Sequence, residues 1–353
     1  MRSSLARCGL LALVVMCCLA SDELGVLVIR QVESEALVSQ VSAITGSVMA
    51  TSNVSWDYTA PLVEATYDTR HHWYYVVTYP NPAQLSPESG SGASVYVFDE
   101  DLHLVKLYEP KVLPLFDLQW NARDETLYGI AVTSQYGRTL SRFLLVDDHT
   151  ITATHLLVLP YMWYVNASTF AFSKETSPTY YGLLNNFSGQ HNSTAAQKLM
   201  AYRTISHTNQ ILDVPEATEK GQKLTLHFIN AAKYGNSVDE GTFDLMALAE
   251  ESDTGALHFV RLDGISQSNV TLKTVLQLDE KYHTVGPLFS SYDPFQPDVA
   301  YYLCAFVMNA QMGDATCMVC VWNTPNHQGW VDEEITCYQN FFGTAAAVAN
   351  RGQ

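Results

Sequence analysis

Leu62 to Tyr79 reads LVEATYDTRHHWYYVVTY, and Leu115 to Thr133 reads LFDLQWNARDETLYGIAVT. Each stretch opens on a short alternating run, crosses a polar turn and enters an aromatic-led apolar run. The design returns in STFAFSKETSPTYYGLLNN from Ser168 and in LFSSYDPFQPDVAYYLCAFV from Leu288. Tyr75, Tyr128 and Tyr181 hold the same place, 53 residues apart each time, and Tyr302 matches them in the last copy. A more divergent copy starts at Leu224, with Phe243 opening its second run. Alternation of polar and apolar residues, rich in Tyr, Val, Phe and Thr, is the pattern of short half-buried strands.

Working outward, every copy continues alike. A third strand is expected around Tyr96 (SVYVFD), Leu145 (RFLLVD), Tyr202 (KLMAYR), Phe259 (ALHFVR) and Val321 (CMVCVW). A fourth is expected in LHLVKLY, ITATHLLVL, QILDV, NVTLKTVLQL and EEITCY. Four strands per repeat of about fifty residues suit a propeller blade. Stacked β-sandwiches would need roughly 100 residues per unit, and solenoid repeats are shorter than this one.

Through these repeats the chain resembles β-propellers in general. It shows no WD dipeptide pattern, kelch double glycine, YWTD run or sialidase-type Asp box that would name a family. The expectation is an all-β, single propeller of four-stranded antiparallel blades. Six blades are favoured, with five or seven also open. GVLVIRQVE and ALVSQVSAIT read as a third and a fourth strand. FFGTAAAVAN is placed to supply their inner strand, so that both termini close the last blade, if only as a three-stranded one, and leave no free edge. The fold alone implies no activity.

The first twenty residues read as a signal peptide: Arg2 and Arg7 precede the apolar run Gly9–Leu19, and Ala20 with Cys18 fits a cleavage site. That run is too short for a stable membrane anchor, and the expected mature domain is 21–353, secreted and extracellular. Two of nineteen basic residues and none of thirty-six acidic ones leave with the signal, so 17 positive charges face 36 negative, a net −19. Such a surface disfavours nucleic acid and anionic lipid as partners. Sequons at Asn53, Asn166, Asn186, Asn192 and Asn269 fit the same export route.

Cys304, Cys317, Cys320 and Cys337 remain after cleavage, and all fall in the last full repeat. Residues three apart on a strand point to opposite faces, which separates Cys317 from Cys320. Antiparallel hairpins bring Cys304 near Cys320 and Cys317 near Cys337, so two cross-strand disulfides are expected. A redox or zinc reading of CMVC lacks a second C-x-x-C and a reducing setting.

In a propeller, connections from a fourth strand to the next first strand share a face with those between strands two and three. That face receives Trp56, Tyr58, Tyr161, Trp163, Tyr164, Tyr282 and His283, as well as the sequons at Asn53, Asn166, Asn186 and Asn192. Exposed aromatics stack on sugar rings and anchor protein contacts, although the same residues also cap blade cores. The expected partner is an extracellular protein or glycan, bound without catalysis. The alternative is an extracellular hydrolase or lyase on carbohydrate or ester.

Glu64, Asp117 and Asp293, on or beside first strands, are the channel carboxylates such chemistry would use. Glu64 and Asp117 stand near equivalent repeat positions, and no pair is singled out. Asp68, Asn121 and Asp293 recur at the junction of first strand and turn, where a hairpin wants them. His71 and His72 read as solvated turn residues, His149 and His327 as surface residues, and His227 as a hydrogen-bonded inner-strand residue. The acidic turns Asp99–Asp101 and Asp147–Asp148 lack a calcium ligand ladder. No nucleophile elbow, zinc motif, P-loop or dinucleotide fingerprint is present, so no metal and no cofactor is expected.

Overall fold

Alternation dictates strands, and a computed structural model of the chain is built of them. It describes residues 24–350 except 33–34, 43–46, 56–61, 69, 80–92, 109–114, 122, 146–149, 172–177, 187–196, 233–243, 266–267, 291–300, 310–315, 324–331 and 339–347. The expected signal peptide, Trp56, Tyr58, Asn192, Phe243, Asp293, His149, His327, Asp147 and Asp148 lie outside the described residues.

The first sheet runs through β1 (Leu24–Val32), β2 (Glu35–Ser42) and β3 (Val48–Ser55). The second holds β4 (Leu62–Asp68), β5 (Trp73–Tyr79), β6 (Ser94–Phe98) and β7 (Leu104–Tyr108). The third holds β8 (Leu115–Asn121), β9 (Thr126–Thr133), β10 (Gly137–Leu145) and β11 (Ile151–Val158). The fourth holds β12 (Trp163–Ala171), β13 (Thr179–Asn186), β14 (Lys198–Arg203) and β15 (Thr208–Asp213). The fifth holds β16 (Leu224–Ala232), β17 (Asp244–Glu251), β18 (Leu257–Asp263) and β19 (Thr271–Gln277). The last holds β20 (Tyr282–Ser290), β21 (Tyr301–Asn309), β22 (Thr316–Asn323) and β23 (Asp332–Tyr338), and β24 (Val348–Asn350) follows it.

The chain is an all-β propeller of four-stranded antiparallel blades. Five are made of four consecutive strands, β4–β7 through β20–β23. β24 pairs with β1 and completes β1–β3 as a further four-stranded sheet, in the order β24-β1-β2-β3. The closing sheet is thus four-stranded rather than three-stranded. β1 and β2 are its second and third strands, not third and fourth, because Val48–Ser55 supplies an outer strand. The N-terminal pattern shows two strands clearly, and the third, VMATSNVS, is too polar to be picked out.

First strands of neighbouring blades lie beside one another, β4 against β8, β8 against β12, β12 against β16 and β16 against β20, so they line the central channel. The core sits between blades. Tyr75, Val77, Val95 and Val97 of one blade pack on Leu115, Leu118, Leu127 and Phe143 of the next. Tyr128, Ile130 and Leu140 repeat that contact against Phe170, Tyr180 and Met200.

Polar clasps reinforce the contact at equivalent places. The Trp120 N–H donates to Thr66 Oγ1 at 3.1 Å, and the Ala231 N–H donates to Thr169 Oγ1 at 3.1 Å. Asp68 and Asn121 close their hairpins as expected. The Asp68 carboxylate accepts the N–H groups of Arg70 and His71 at 2.8 and 3.1 Å, and Asn121 accepts that of Arg123 at 3.1 Å. Asp99 does the same in its turn, accepting the His103 N–H at 2.8 Å.

Candidate functional site at the channel mouth

Inner strands begin at the face that carries the long connections, and their first residues form the mouth of the channel. Four of them leave regular pairing there. The register shifts between Phe116 and Gln119 in β8, between Val165 and Ala167 in β12, between Leu226 and Phe228 in β16, and between Thr284 and Leu288 in β20. In the first three strands the residues set free include Asp117, Asn166 and His227. A bulge re-aims a side chain that the pleat would otherwise have fixed. In β8, β12 and β16 the bulge falls at the third or fourth residue, so Asp117, Asn166 and His227 stand at matching heights along neighbouring inner strands. Asp117 adopts the left-handed conformation, with φ of 57°, which Asp tolerates better than most residues do.

Neighbouring blades join through these groups. The Asp117 N–H donates to Glu64 Oε2, and the Tyr180 hydroxyl donates to Asp117 Oδ2. Burial, and after it the charge of Glu64, pushes the Asp117 carboxyl up to about 8. Burial beside Asp117 also raises the Tyr180 hydroxyl well above its usual range. Glu64 and Asp117 nevertheless keep part of their surface exposed. The sequence alone singled out no pair, and the fold pairs these two.

Ser168 lies beside Asp117 and Tyr180, close enough for its hydroxyl to act on both. It is 7% exposed, yet its Oγ has no partner that satisfies hydrogen-bond geometry. Further round, Asn166 Nδ2 donates to the His227 carbonyl at 2.7 Å, and His227 Nε2 lies 3.0 Å from Glu250 Oε2. His227 is hydrogen-bonded, as its inner-strand position suggested.

Gly129 makes the Asp117 bulge sterically feasible. A Cβ there would meet the Phe116 carbonyl at 2.9 Å and the Asp117 carbonyl at 3.0 Å. Gly182 occupies the equivalent place one repeat later, but a Cβ there would meet side chains alone, the flexible Met200 Cε first at 3.2 Å and then Tyr180 Cε1 at 3.4 Å. Gly129→Ala is therefore expected to cost about 1–3 kcal/mol by forcing the bulge aside. Gly182→Ala should cost less than about 1 kcal/mol, since a methionine can give way. Chemical denaturation of the two variants checks the order.

The aromatic set divides. Tyr161 is 91% exposed on the turn between β11 and β12, and Met162 beside it is exposed. Trp163 is half-buried at the start of β12, with the Lys198 ammonium 5.4 Å from its ring centroid, and Tyr164 is half-buried next to it. His283 is exposed at the start of β20. Tyr282 is a correction: it is 1% exposed and packs with Met246, Leu248 and Phe259, so it caps a blade core and offers no surface.

Other expectations shift in detail. His71 and His72 do point apart, yet neither is merely solvated. His71 Nδ1 lies 2.7 Å from Asp68 Oδ2, and His72 Nδ1 lies 3.1 Å from Glu100 Oε1. Asn53 sits exposed within the outer strand β3, Asn186 ends β13, and Asn269 is exposed before β19. Asn166 lies within an inner strand rather than before it. The strand register sets Cys304 opposite Cys320 and Cys317 opposite Cys337. The cysteine side chains fall outside the described residues.

No family model and no curated protein matches the sequence. The fold has solved counterparts. A periplasmic gluconolactonase of Pseudomonas aeruginosa superposes with a TM-score of 0.50 at 10% identity, over 92% of this chain and 99% of that one. An exo-β-1,3-galactanase of Phanerochaete chrysosporium gives 0.41 at 10% identity, over 92% and 88%. A hydrazine synthase of Kuenenia stuttgartiensis gives 0.42 at 11% identity, over 90% and 92%. Likeness at such identity defines the class, a β-propeller, and nothing finer.

Proposed function

We propose that this protein is a secreted, glycosylated propeller that binds a hydroxylated, glycan-type ligand at the mouth of its channel. The observation that supports the reading is the run of bulges in β8, β12 and β16, which sets Asp117, Asn166 and His227 at matching heights near the start of neighbouring inner strands. Mixed donors and acceptors of this kind suit hydroxyl groups, and the Tyr161–Tyr164 segment supplies ring surface at the rim. The N-terminal apolar run, the sequons and the facing cysteines support export. A glycan on Asn166 would occupy the mouth, so the reading requires that residue unmodified, while Asn53 and Asn269 are open to modification.

The test is a glycan array on the full chain from a eukaryotic host, followed by calorimetry on whatever is retained. Trp163→Ala and Asn166→Ala should each weaken binding about tenfold, the worth of one stacking or hydrogen-bonding contact near 1.4 kcal/mol. Unchanged affinity in both variants, or a glycan found on Asn166 by peptide mass mapping, would remove the mouth as the site.

A further inference from the structure

We infer that Glu64 and Asp117 are a catalytic carboxyl pair that hydrolyses an ester or lactone bond in the ligand held at the channel mouth. The inference rests on the binding reading and adds chemistry to it. Glu64 Oε2 accepts the backbone N–H of Asp117, which brings the two acidic residues together across neighbouring blades. Both keep part of their surface exposed, and burial and the Glu64 charge disfavour loss of the Asp117 proton.

Tyr180 decides where that proton sits. Its hydroxyl donates to Asp117 Oδ2, which leaves Oδ1 to carry the acidic hydrogen. Burial and the Glu64 charge keep the hydrogen in place up to about pH 8. One member is then an acid and the other a base at neutral pH, the division of labour that general acid–base catalysis needs. The second, independent sign of a ligand is Ser168, a buried hydroxyl beside the pair that makes no properly formed hydrogen bond with the protein. Buried polar atoms are rarely left so, and a water or substrate oxygen between Ser168 and the pair would satisfy it.

An acid and a base on neighbouring inner strands suit addition of water to a carbonyl, because the two then work on adjacent atoms. Glu64 takes a proton from water as the water oxygen bonds to the carbonyl carbon. Asp117 gives its Oδ1 proton to the carbonyl oxygen. The tetrahedral adduct collapses when the ester C–O bond breaks. The leaving oxygen recovers the proton from Glu64, and the new acid returns one to Asp117. One ester and one water become one acid and one alcohol, and the pair regains its starting protonation.

The experiment uses the full glycoprotein against a panel of aldonolactones and acetylated monosaccharides, with ligand retention followed on the glycan array. Turnover is expected, with kcat/KM falling as pH rises through about 8, where Asp117 loses its proton. Asp117→Asn and Glu64→Gln should each lower kcat about 10²–10⁴-fold while the retained ligand stays bound. The wild-type pH profile carries the test if either variant misfolds. Retention without turnover of any substrate would overturn catalysis and leave the binding reading intact. So would turnover that both variants keep, or a rate that is flat through that pH range. Loss of both retention and turnover in the wild type would overturn the two together.

Discussion

Asp117→Asn is expected to make the protein more stable at pH 8.5 and to leave it nearly unchanged at pH 4. The folded chain holds a proton on Asp117 up to about pH 8, whereas an unfolded aspartate loses it near 3.8. Below the lower value both states are protonated and the native carboxyl keeps its full contribution. As pH rises through the window the unfolded chain releases its proton first, so the native state loses ground until it ionises as well. Asparagine has the shape of the protonated acid, accepts the same Tyr180 hydroxyl and tolerates the left-handed φ, and it does not titrate.

The advantage of asparagine therefore opens between pH 4 and 8 and is flat above that. A shift of this size is nominally worth several kcal/mol at about 1.4 kcal/mol per pH unit, and sharing of charge with Glu64 reduces it to about 2 kcal/mol. That corresponds to a rise of roughly 4 °C in melting temperature for a chain of this length. Glu64→Gln should flatten the pH dependence by removing the neighbouring charge. Equal melting curves for wild type and Asp117→Asn across the range would mean that Asp117 is ionised in the fold. A site that gains stability when its chemistry is removed would fit selection for function at a cost in stability.

Much of the blade pattern is legible in the sequence, because the aromatic-led second strands keep their register in Leu62–Tyr79 and its copies. The Tyr75, Tyr128 and Tyr181 repeat lands on one register position in β5, β9 and β13, opposite Thr66, Gln119 and Thr169. Closure by both termini is legible for the same reason: GVLVIRQVE needs partners on two sides.

The site is less legible. A bulge adds one residue and inverts the alternation after it, so Asp117, Asn166 and His227 look like ordinary inward or outward positions. The signal that would have paired Glu64 with Asp117 is their separation of 53, the repeat length itself. Residues one repeat apart occupy the same place on adjacent inner strands, and adjacent inner strands touch. Equivalence, read as a reason to discount the pair, is the reason the two residues meet. Tyr282 fails in the opposite sense: its position beside a connection suggests exposure, and only the packing of blade against blade shows it covered.

We propose two cross-strand disulfides in β21–β23, and reduction is then expected to lower the melting temperature by about 5–10 °C. Cys304 faces Cys320 and Cys317 faces Cys337 in the register of β21, β22 and β23. Directly opposed residues of an antiparallel pair have Cα atoms about 4.5–5.5 Å apart, inside the span that a disulfide bridges. Closing a loop of about 15–20 residues is worth roughly 3 kcal/mol in the unfolded-chain model. The loops closed by Cys304–Cys320 and Cys317–Cys337 overlap, so whichever bridge forms second adds slightly less than the first. Cys304→Ser with Cys320→Ser, which leaves the other bridge in place, should therefore cost slightly less than half of what full reduction does. The location matters as much as the number, because β23 precedes β24, the strand that pairs with β1 and completes the closing sheet. Loss of the staple beside that joint should let unfolding begin there, seen as early hydrogen exchange in β1 and β24 on reduction. Non-reducing peptide mapping that joins Cys317 to Cys320, or finds free thiols in protein expressed through a eukaryotic secretory route, would sink the pairing and the stability argument with it.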